Sequence, residues 1–82
     1  MFYTYLIKSK NKKWFYIGST RNLKERFNEH NSGMVKSTKH YTPFILIYYE
    51  AYPDYTLARK REIELKTKGQ QKEILFKKLG LM

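Results

Sequence analysis

The stretch FYTYLIKSKNKKWFYIG, residues 2–18, carries the strongest fold signal in the sequence. Its two ends, residues 2–8 and 14–18, are rich in aromatic and β-branched side chains, and they flank a polar stretch at residues 9–13. Two such segments around a short polar connection are typical of a β-hairpin. We therefore predict that two antiparallel strands open the fold.

A first helix is predicted at residues 21–31. Leu23 and Phe27 lie four positions apart among polar neighbours, which gives a helix one apolar stripe. The serine and threonine at residues 19–20 offer an N-cap, and Gly33 follows the end of the segment, where glycine commonly stops a helix.

The second half of the chain predicts one more strand and two more helices. Residues 44–52 are almost continuously apolar, which predicts a strand packed on both faces in the middle of the sheet. Residues 55–67 and 70–79 predict the second and third helices. The side chains expected to face the core are Leu57, Ala58, Leu65, Ile74, Leu75 and Leu79. The order β-β-α-β-α-α predicts an α/β (α+β) fold, a small sheet with helices packed against it.

Composition limits what the chain can be. Its 82 residues give room for one compact domain, and the absence of cysteine excludes disulfides, zinc-thiolate sites and cysteine nucleophiles. No apolar run is long enough to span a bilayer. Charge follows the apolar N-terminal residues where a signal peptide would have a small-residue cleavage site, so we expect a cytoplasmic protein.

The charge is strongly positive. Lys and Arg number 17 against seven acidic residues, a formal net charge of +10. Such a field attracts anions, and basic residues interleaved with aromatic ones are typical of nucleic-acid binding. Nucleic acid fits this charge best, and the alternatives are a solvated basic surface or a ribosome-associated protein without chemistry of its own. Charge alone favours simple binding over catalysis.

The spacing of a few residues resembles a nuclease family. Tyr5 is followed by YIG at residues 16–18, by Arg26, and by Glu62 in the predicted second helix. Over most of the chain this combination resembles the GIY-YIG nucleases. The second motif is intact, whereas the first reads YTY at residues 3–5 and keeps only its final tyrosine.

The resemblance implies a three-stranded antiparallel sheet flanked by helices, forming a single GIY-YIG nuclease domain over residues 1–82. It implies a metal-dependent endonuclease that hydrolyses DNA phosphodiester bonds, in DNA repair or recombination. One Mg²⁺ or Mn²⁺ would have Glu62 as its only protein ligand, with water and phosphate oxygens at its other positions. The catalytic residues implied are Tyr5, Tyr16, Arg26, His30 and Glu62.

The two tyrosines can be placed on the predicted hairpin. Tyr16 alternates with Phe15 and Ile17, so its hydroxyl should leave the opposite face of the sheet beside Gly18, where the missing side chain would admit a ligand. To take a proton from water it needs a neighbouring cation, and the alternative is an ordinary core tyrosine. The resemblance to the GIY-YIG nucleases implies that Tyr5 orients the water or binds the phosphate.

Arg26 and His30 stand one turn apart on the first predicted helix, so both side chains can point to the same end of the sheet. A guanidinium suits a pentavalent phosphate better than an ammonium group does. His30 is expected to carry a proton or bind phosphate, with a surface or capping role at the helix end as the alternative.

Glu62 lies four residues after Ala58 and three before Leu65, on the helix stripe that should face the protein. A buried carboxylate needs a partner. A metal ion would serve, and the alternative is a structural salt bridge to Arg59, Arg61 or a neighbouring lysine.

Residues 34–42 are polar and basic without a clear period, which predicts a loop with the composition of a strand-contacting segment or a plain connector. The residues expected to bind nucleic acid are Arg21, Lys36, Lys39, His40 and Lys66. Family members often carry an asparagine after the metal glutamate; here none follows Asn31, and Lys66, Gln70 or no residue replaces it. We expect a monomer, with a dimer, an activating protein partner and a non-catalytic DNA- or RNA-binding module as open alternatives.

Overall fold

The computed structural model describes residues 1–82. The strands β1 (Phe2–Ser9), β2 (Phe15–Thr20) and β3 (Phe44–Tyr52) form one antiparallel sheet. The helices α1 (Leu23–Asn31), α2 (Tyr55–Thr67) and α3 (Gly69–Lys78) complete the order β-β-α-β-α-α, with a short 3-10 turn at Lys39–Tyr41. These elements confirm the predicted α+β fold class. None of the helices has the length and apolar character needed to cross a membrane.

The strand order is β2-β1-β3, so β1 is the central strand. The prediction that β3 lies in the middle was wrong, because β3 is an edge strand on which Ile45 and Tyr49 are 43% and 52% exposed. The apolar run at residues 44–52 therefore did not indicate where this strand lies in the sheet. β1 tolerates the polar Thr4 at its centre because the threonine hydroxyl donates to the carbonyl of Ala58 at 2.7 Å.

Helices cover both faces of the sheet. The core under α2 and α3 consists of Leu6, Ile17, Leu65, Leu75 and Phe76. The core under α1 consists of Tyr5, Ile7 and Phe44, with Leu23 and Phe27 packed against it. Burial of each such side chain contributes about 1.5–3 kcal/mol, so these two layers hold the sheet between the helices. Successive β2 residues alternate between the layers, which confirms the predicted orientation of Tyr16 relative to Phe15 and Ile17.

The start of α1 differs from the prediction. Its N-cap is Asn22, whose side chain accepts from the amide of Glu25 at 3.0 Å. Ser19 and Thr20, the predicted cap, are instead the last two residues of β2. Gly33, at φ 75°, follows the helix end as predicted.

Two residues expected in the core are on the surface: Leu57 is 45% and Ile74 is 54% exposed. The buried residues of α2 are Ala58, Glu62 and Leu65. Leu57 precedes Ala58 by one residue, so its side chain points about 100° away from that of Ala58 around the helix axis. In α3 the neighbouring pair Leu75 and Phe76 takes the inward direction, which turns Ile74 outward.

Candidate active site

Gly18, in the middle of the β2–β1 pairing, lies against the buried ring of Tyr5. A β-carbon at this position would come within 2.5 Å of the Tyr5 hydroxyl oxygen and 3.0 Å of the Tyr16 ring. Glycine is therefore required here to make room for a phenol of the protein itself. The prediction that its missing side chain admits a ligand was wrong, because Tyr5 fills the space.

A chain of buried hydrogen bonds starts at Tyr5 and passes through His30. The Tyr5 hydroxyl and His30 Nε2 are 2.7 Å apart, and His30 Nδ1 is 2.9 Å from the Thr38 hydroxyl oxygen. The Thr38 hydroxyl donates to the carbonyl of Val35, so its oxygen accepts from Nδ1–H. His30 Nε2 then accepts from Tyr5, which assigns a neutral imidazole protonated on Nδ1.

Burial and a neighbouring guanidinium set the charge states along this chain. Burial raises the pKa of Tyr5, and the nearby guanidinium of Arg26 partly offsets this rise. Burial, followed by the positive charge of Arg26, lowers the pKa of His30 to about 4. Both groups are therefore neutral at physiological pH, and the charged groups beside them are Arg26 and its ion-pair partner Glu29, 2.9 Å away.

Glu62, from α2, reaches the end of β2 and is only 3% exposed. Its carboxylate accepts from Ser19 at 2.5 Å, from Lys66 at 2.6 Å and from Arg59 at 2.8 Å. Burial by itself raises the pKa of Glu62, but the hydrogen bonds from Lys66, Ser19 and Arg59 outweigh it and hold the pKa below its usual value. Glu62 is therefore an ionised, nearly buried carboxylate that pairs with the cationic side chains of Lys66 and Arg59.

Tyr16 connects Glu62 with the histidine chain. Its ring centroid lies 5.1 Å from that of His30 and 6.3 Å from that of Tyr5. The Lys66 ammonium nitrogen lies 5.2 Å from the Tyr16 ring centroid while it contacts Glu62. Unlike Tyr5, Tyr16 is half-buried, and its hydroxyl makes no hydrogen bond to the protein.

An open cleft of about 540 Å³ borders this group of side chains. It is lined by residues from the ends of β1 and β2 and from α1 and α2: Phe2, Ser19, Thr20, Arg21, Arg26, Glu29 and Tyr55. Two residues link the cleft to the buried groups. Ser19 donates a hydrogen bond to Glu62, and the charge of Arg26 lowers the pKa of Tyr5. Of the five predicted catalytic residues, only Arg26 lines this cleft. Glu62 is joined to the cleft through Ser19, and Tyr5, Tyr16 and His30 are joined to one another by the contacts described above.

The residues predicted to bind nucleic acid fall into three places. Arg21 lines the cleft, and Lys66 pairs with Glu62. The exposed residues Lys36, Lys39 and His40 belong to the segment after α1, at the other end of β2. Buried Val35 and Thr38 anchor that segment, which therefore contains more structure than the predicted loop.

Two residues that complete the site were not among the predicted ones. Ser19 binds Glu62, 43 residues away, and Thr38 binds His30, eight residues away across the end of α1. Ser19 shares the strand face of Ile17, so its direction toward α2 could have been read from the β2 alternation. No local pattern marks Thr38.

Comparison with known proteins identifies the family. A family model described as the GIY-YIG catalytic domain matches residues 1–76. The chain belongs to the GIY-YIG family. Among its relatives within this nuclease family, a UPF0213 protein of Staphylococcus haemolyticus is 36% identical over 73 residues, which cover 88% of each chain. A UPF0213 protein of Clostridium perfringens is 33% identical over 81 residues, covering 95% of this chain and 86% of the relative.

A solved GIY-YIG relative has a similar fold. The solution NMR structure of the UPF0213 protein BH0048 from Bacillus halodurans superimposes with a TM-score of 0.57 at 28% identity, and the match covers 98% of this chain and 88% of the other. The UPF0213 relatives are named without an activity, so family membership supports a nuclease fold and leaves the reaction of this chain to be proposed.

GIY-YIG nucleases generally use a divalent metal ion, and the residues at Glu62 fit one. No group of three or more acidic, histidine or cysteine side chains surrounds Glu62 or any other point of the structure. A Mg²⁺ site needs only one or two carboxylates when water and substrate phosphate supply the remaining oxygens. Glu62 is ionised and already holds cations, and the side chains of Lys66 and Arg59 are 40% and 53% exposed, so both can move away from it.

Proposed function

We propose that the protein is a metal-dependent endonuclease that hydrolyses phosphodiester bonds of DNA, in the repair or recombination of DNA in the cytoplasm. The observation that carries the proposal is the position of one buried carboxylate, Glu62, which contacts Ser19 of the cleft at Arg26 and shares Lys66 with the ring of Tyr16. Glu62 would bind one Mg²⁺ or Mn²⁺ in exchange for Lys66, and the bound ion would polarise the scissile phosphate.

The other side chains supply charge and proton transfer. Arg26 faces the cleft, so its guanidinium can bind the phosphate and stabilise the charge that develops on its oxygens. The Tyr16 hydroxyl has no hydrogen-bond partner in the protein and is not a buried atom, so it can accept the proton of the attacking water. The Lys66 ammonium nitrogen lies 5.2 Å from the centroid of the Tyr16 ring, so the phenol and the carboxylate of Glu62 share one neighbouring cation.

We assign Tyr5 and His30 to positioning. His30 is fully buried with both ring nitrogens hydrogen-bonded, which argues against direct contact with phosphate and against a surface capping role. Tyr5 is 2% exposed, and Arg26 acts on its hydroxyl. The chain from Thr38 through His30 and Tyr5 would hold the guanidinium in the direction of the cleft.

Cleavage assays test this function. Duplex, branched and single-stranded DNA are incubated with the purified protein and Mg²⁺, Mn²⁺ or EDTA. Metal-dependent cutting is expected to fall at least about 100-fold in Arg26→Ala and Glu62→Ala. Glu64→Gln is the matched control, because Glu64 lies on the same helix and forms an ion pair with Arg61 outside the site. Cleavage that survives both site variants would refute the assignment.

A non-catalytic role is the second candidate, and one observation favours it. Both carboxylate oxygens of Glu62 are engaged by Arg59 and Lys66, the structural salt bridge that the sequence left open. In this role the net charge of +10 would hold DNA or RNA. Salt-sensitive binding without cleavage under any metal would select it.

A further inference from the structure

We infer that a second cleft, on the β3 side of α1, binds an unpaired nucleotide of the substrate. This inference deepens the proposed function and rests on it for the identity of the nucleic acid. The cleft measures about 620 Å³, within the range of about 300–1,000 Å³ of small-ligand pockets. Its lining residues are Tyr3, Arg21, Asn22, Leu23, Lys24, Phe27, Leu46 and Tyr49.

The floor of the cleft is apolar and aromatic. Tyr3 and Tyr49 form an edge-to-face pair with ring centroids 5.9 Å apart, and Leu46 lies beside them. A register shift between β1 and β3 pairs Leu6 with Tyr48 and Ile7 with Leu46, leaving Ile47 as the extra residue.

This bulge explains how Leu46 and Tyr49, three residues apart, both face the α1 side of the sheet. The Tyr49 side chain is 52% exposed at the mouth of the cleft. An aromatic face held by the sheet and open to solvent is the usual platform for stacking a nucleic-acid base.

The charged residues of the cleft select an anionic occupant. Arg21 and Lys24 are exposed on its rim, neither takes part in an ion pair, and no carboxylate lines the cleft. An apolar peptide or a second copy of this basic chain would leave these two cations unpaired, and a second copy would bring them against further positive charge. A nucleotide fits both the aromatic floor and the basic rim of this cleft, because its base can stack on Tyr49 while its phosphate binds Arg21 or Lys24.

The position of Arg21 connects this cleft with the candidate active site. Arg21 lines both the aromatic cleft and the cleft that contains Ser19 and Arg26. A strand whose backbone contacts Arg21 can therefore reach the active site on one side and leave a base on Tyr49 on the other. The substrate class indicated is DNA with a single-stranded branch or an extruded base.

The test compares two labelled anions of equal charge, an oligothymidylate of about ten nucleotides and an abasic oligomer of the same length, by fluorescence anisotropy in EDTA. The wild-type protein is expected to bind the oligothymidylate about tenfold more tightly than the abasic oligomer. Tyr49→Ala should bring this ratio close to one without weakening the abasic complex. Tyr49→Phe, which retains a ring, should keep the ratio.

Ile74→Ala is the matched control, since Ile74 is equally exposed but lies on α3. Equal binding of the two oligomers by the wild type would overturn the inference, as would a Tyr49→Ala variant that retains the preference. Self-association of the wild type that Tyr49→Ala abolishes would also overturn it, because the occupant would then be a second copy. This binding assay contains no metal, so it can succeed even if the protein does not cleave DNA. Equally, DNA cleavage can be observed even if this cleft does not bind a base.

Discussion

The buried neutral imidazole of His30 makes the stability of the fold depend on pH. Burial lowers its pKa from an ordinary 6.5 to about 4 in the folded state, so the unfolded chain binds a proton more readily. The stabilisation is complete above about pH 6.5 and is lost as the pH falls toward the folded-state pKa of about 4. The gap between the two values corresponds to about 3 kcal/mol in total, of which about 2 kcal/mol is lost by pH 5.

Urea unfolding at pH 7.5 and pH 5 measures this loss. For a domain of this size the free energy of unfolding falls by about 1 kcal/mol per molar urea, so the midpoint should decrease by about 2 M. Glu50 and Glu62 contribute little in this window, because their pKa values are held below the usual carboxyl value. His30→Gln should be less stable at neutral pH but nearly insensitive to the change, and His40→Gln, at an exposed position, should keep the full dependence. A wild-type midpoint that does not move, or the same shift in His30→Gln, would refute the assignment of a neutral buried imidazole.

Three further substitutions probe the site. Gly18→Ala should lower the free energy of unfolding by about 1–3 kcal/mol, because its β-carbon meets the Tyr5 hydroxyl at 2.5 Å; an unchanged thermal midpoint would contradict the packing described. Lys66→Ala should raise the affinity for Mn²⁺ several-fold in a binding titration, because it removes the ammonium group that competes for Glu62 at 2.6 Å, and a weaker complex would show that Lys66 assists the metal instead. Tyr16→Phe keeps the ring and removes the free hydroxyl, so the cleavage rate should drop about 100-fold or more with an unchanged thermal midpoint; retained cleavage would exclude the phenol as base.

The helices and strands followed from local sequence patterns, whereas their arrangement did not. The bounds of α2 and β3 agree with the predicted 55–67 and 44–52, since each segment has a clear period or apolar run between breakers. The place of β3 in the sheet could not be inferred from its own hydrophobicity. It depends on which strand can bury its polar residues, and β1 does so through the contact of Thr4 with α2.

In the candidate site, too, local sequence patterns predicted some features and could not predict others. Glu62 could be predicted as a buried carboxylate from its place on the α2 stripe, because helical period alone determines that face. The hydrogen bonds of Ser19 with Glu62 and of Thr38 with His30 connect different elements of the fold, and no periodicity encodes them. The Gly18 contact with Tyr5 depends on the cross-strand register, which only the folded sheet defines.

The proposed cleavage requires a divalent ion at Glu62. Paramagnetic Mn²⁺, titrated into isotope-labelled protein in the presence of a short non-cleavable DNA, broadens the NMR signals of residues close to the ion. We expect the amides of Ser19, Glu62 and Lys66 to broaden first, and we expect the effect to be lost in Glu62→Gln but kept in Glu64→Gln. Broadening centred on Glu25 and Glu29, or an unchanged pattern in Glu62→Gln, would contradict a metal site at Glu62.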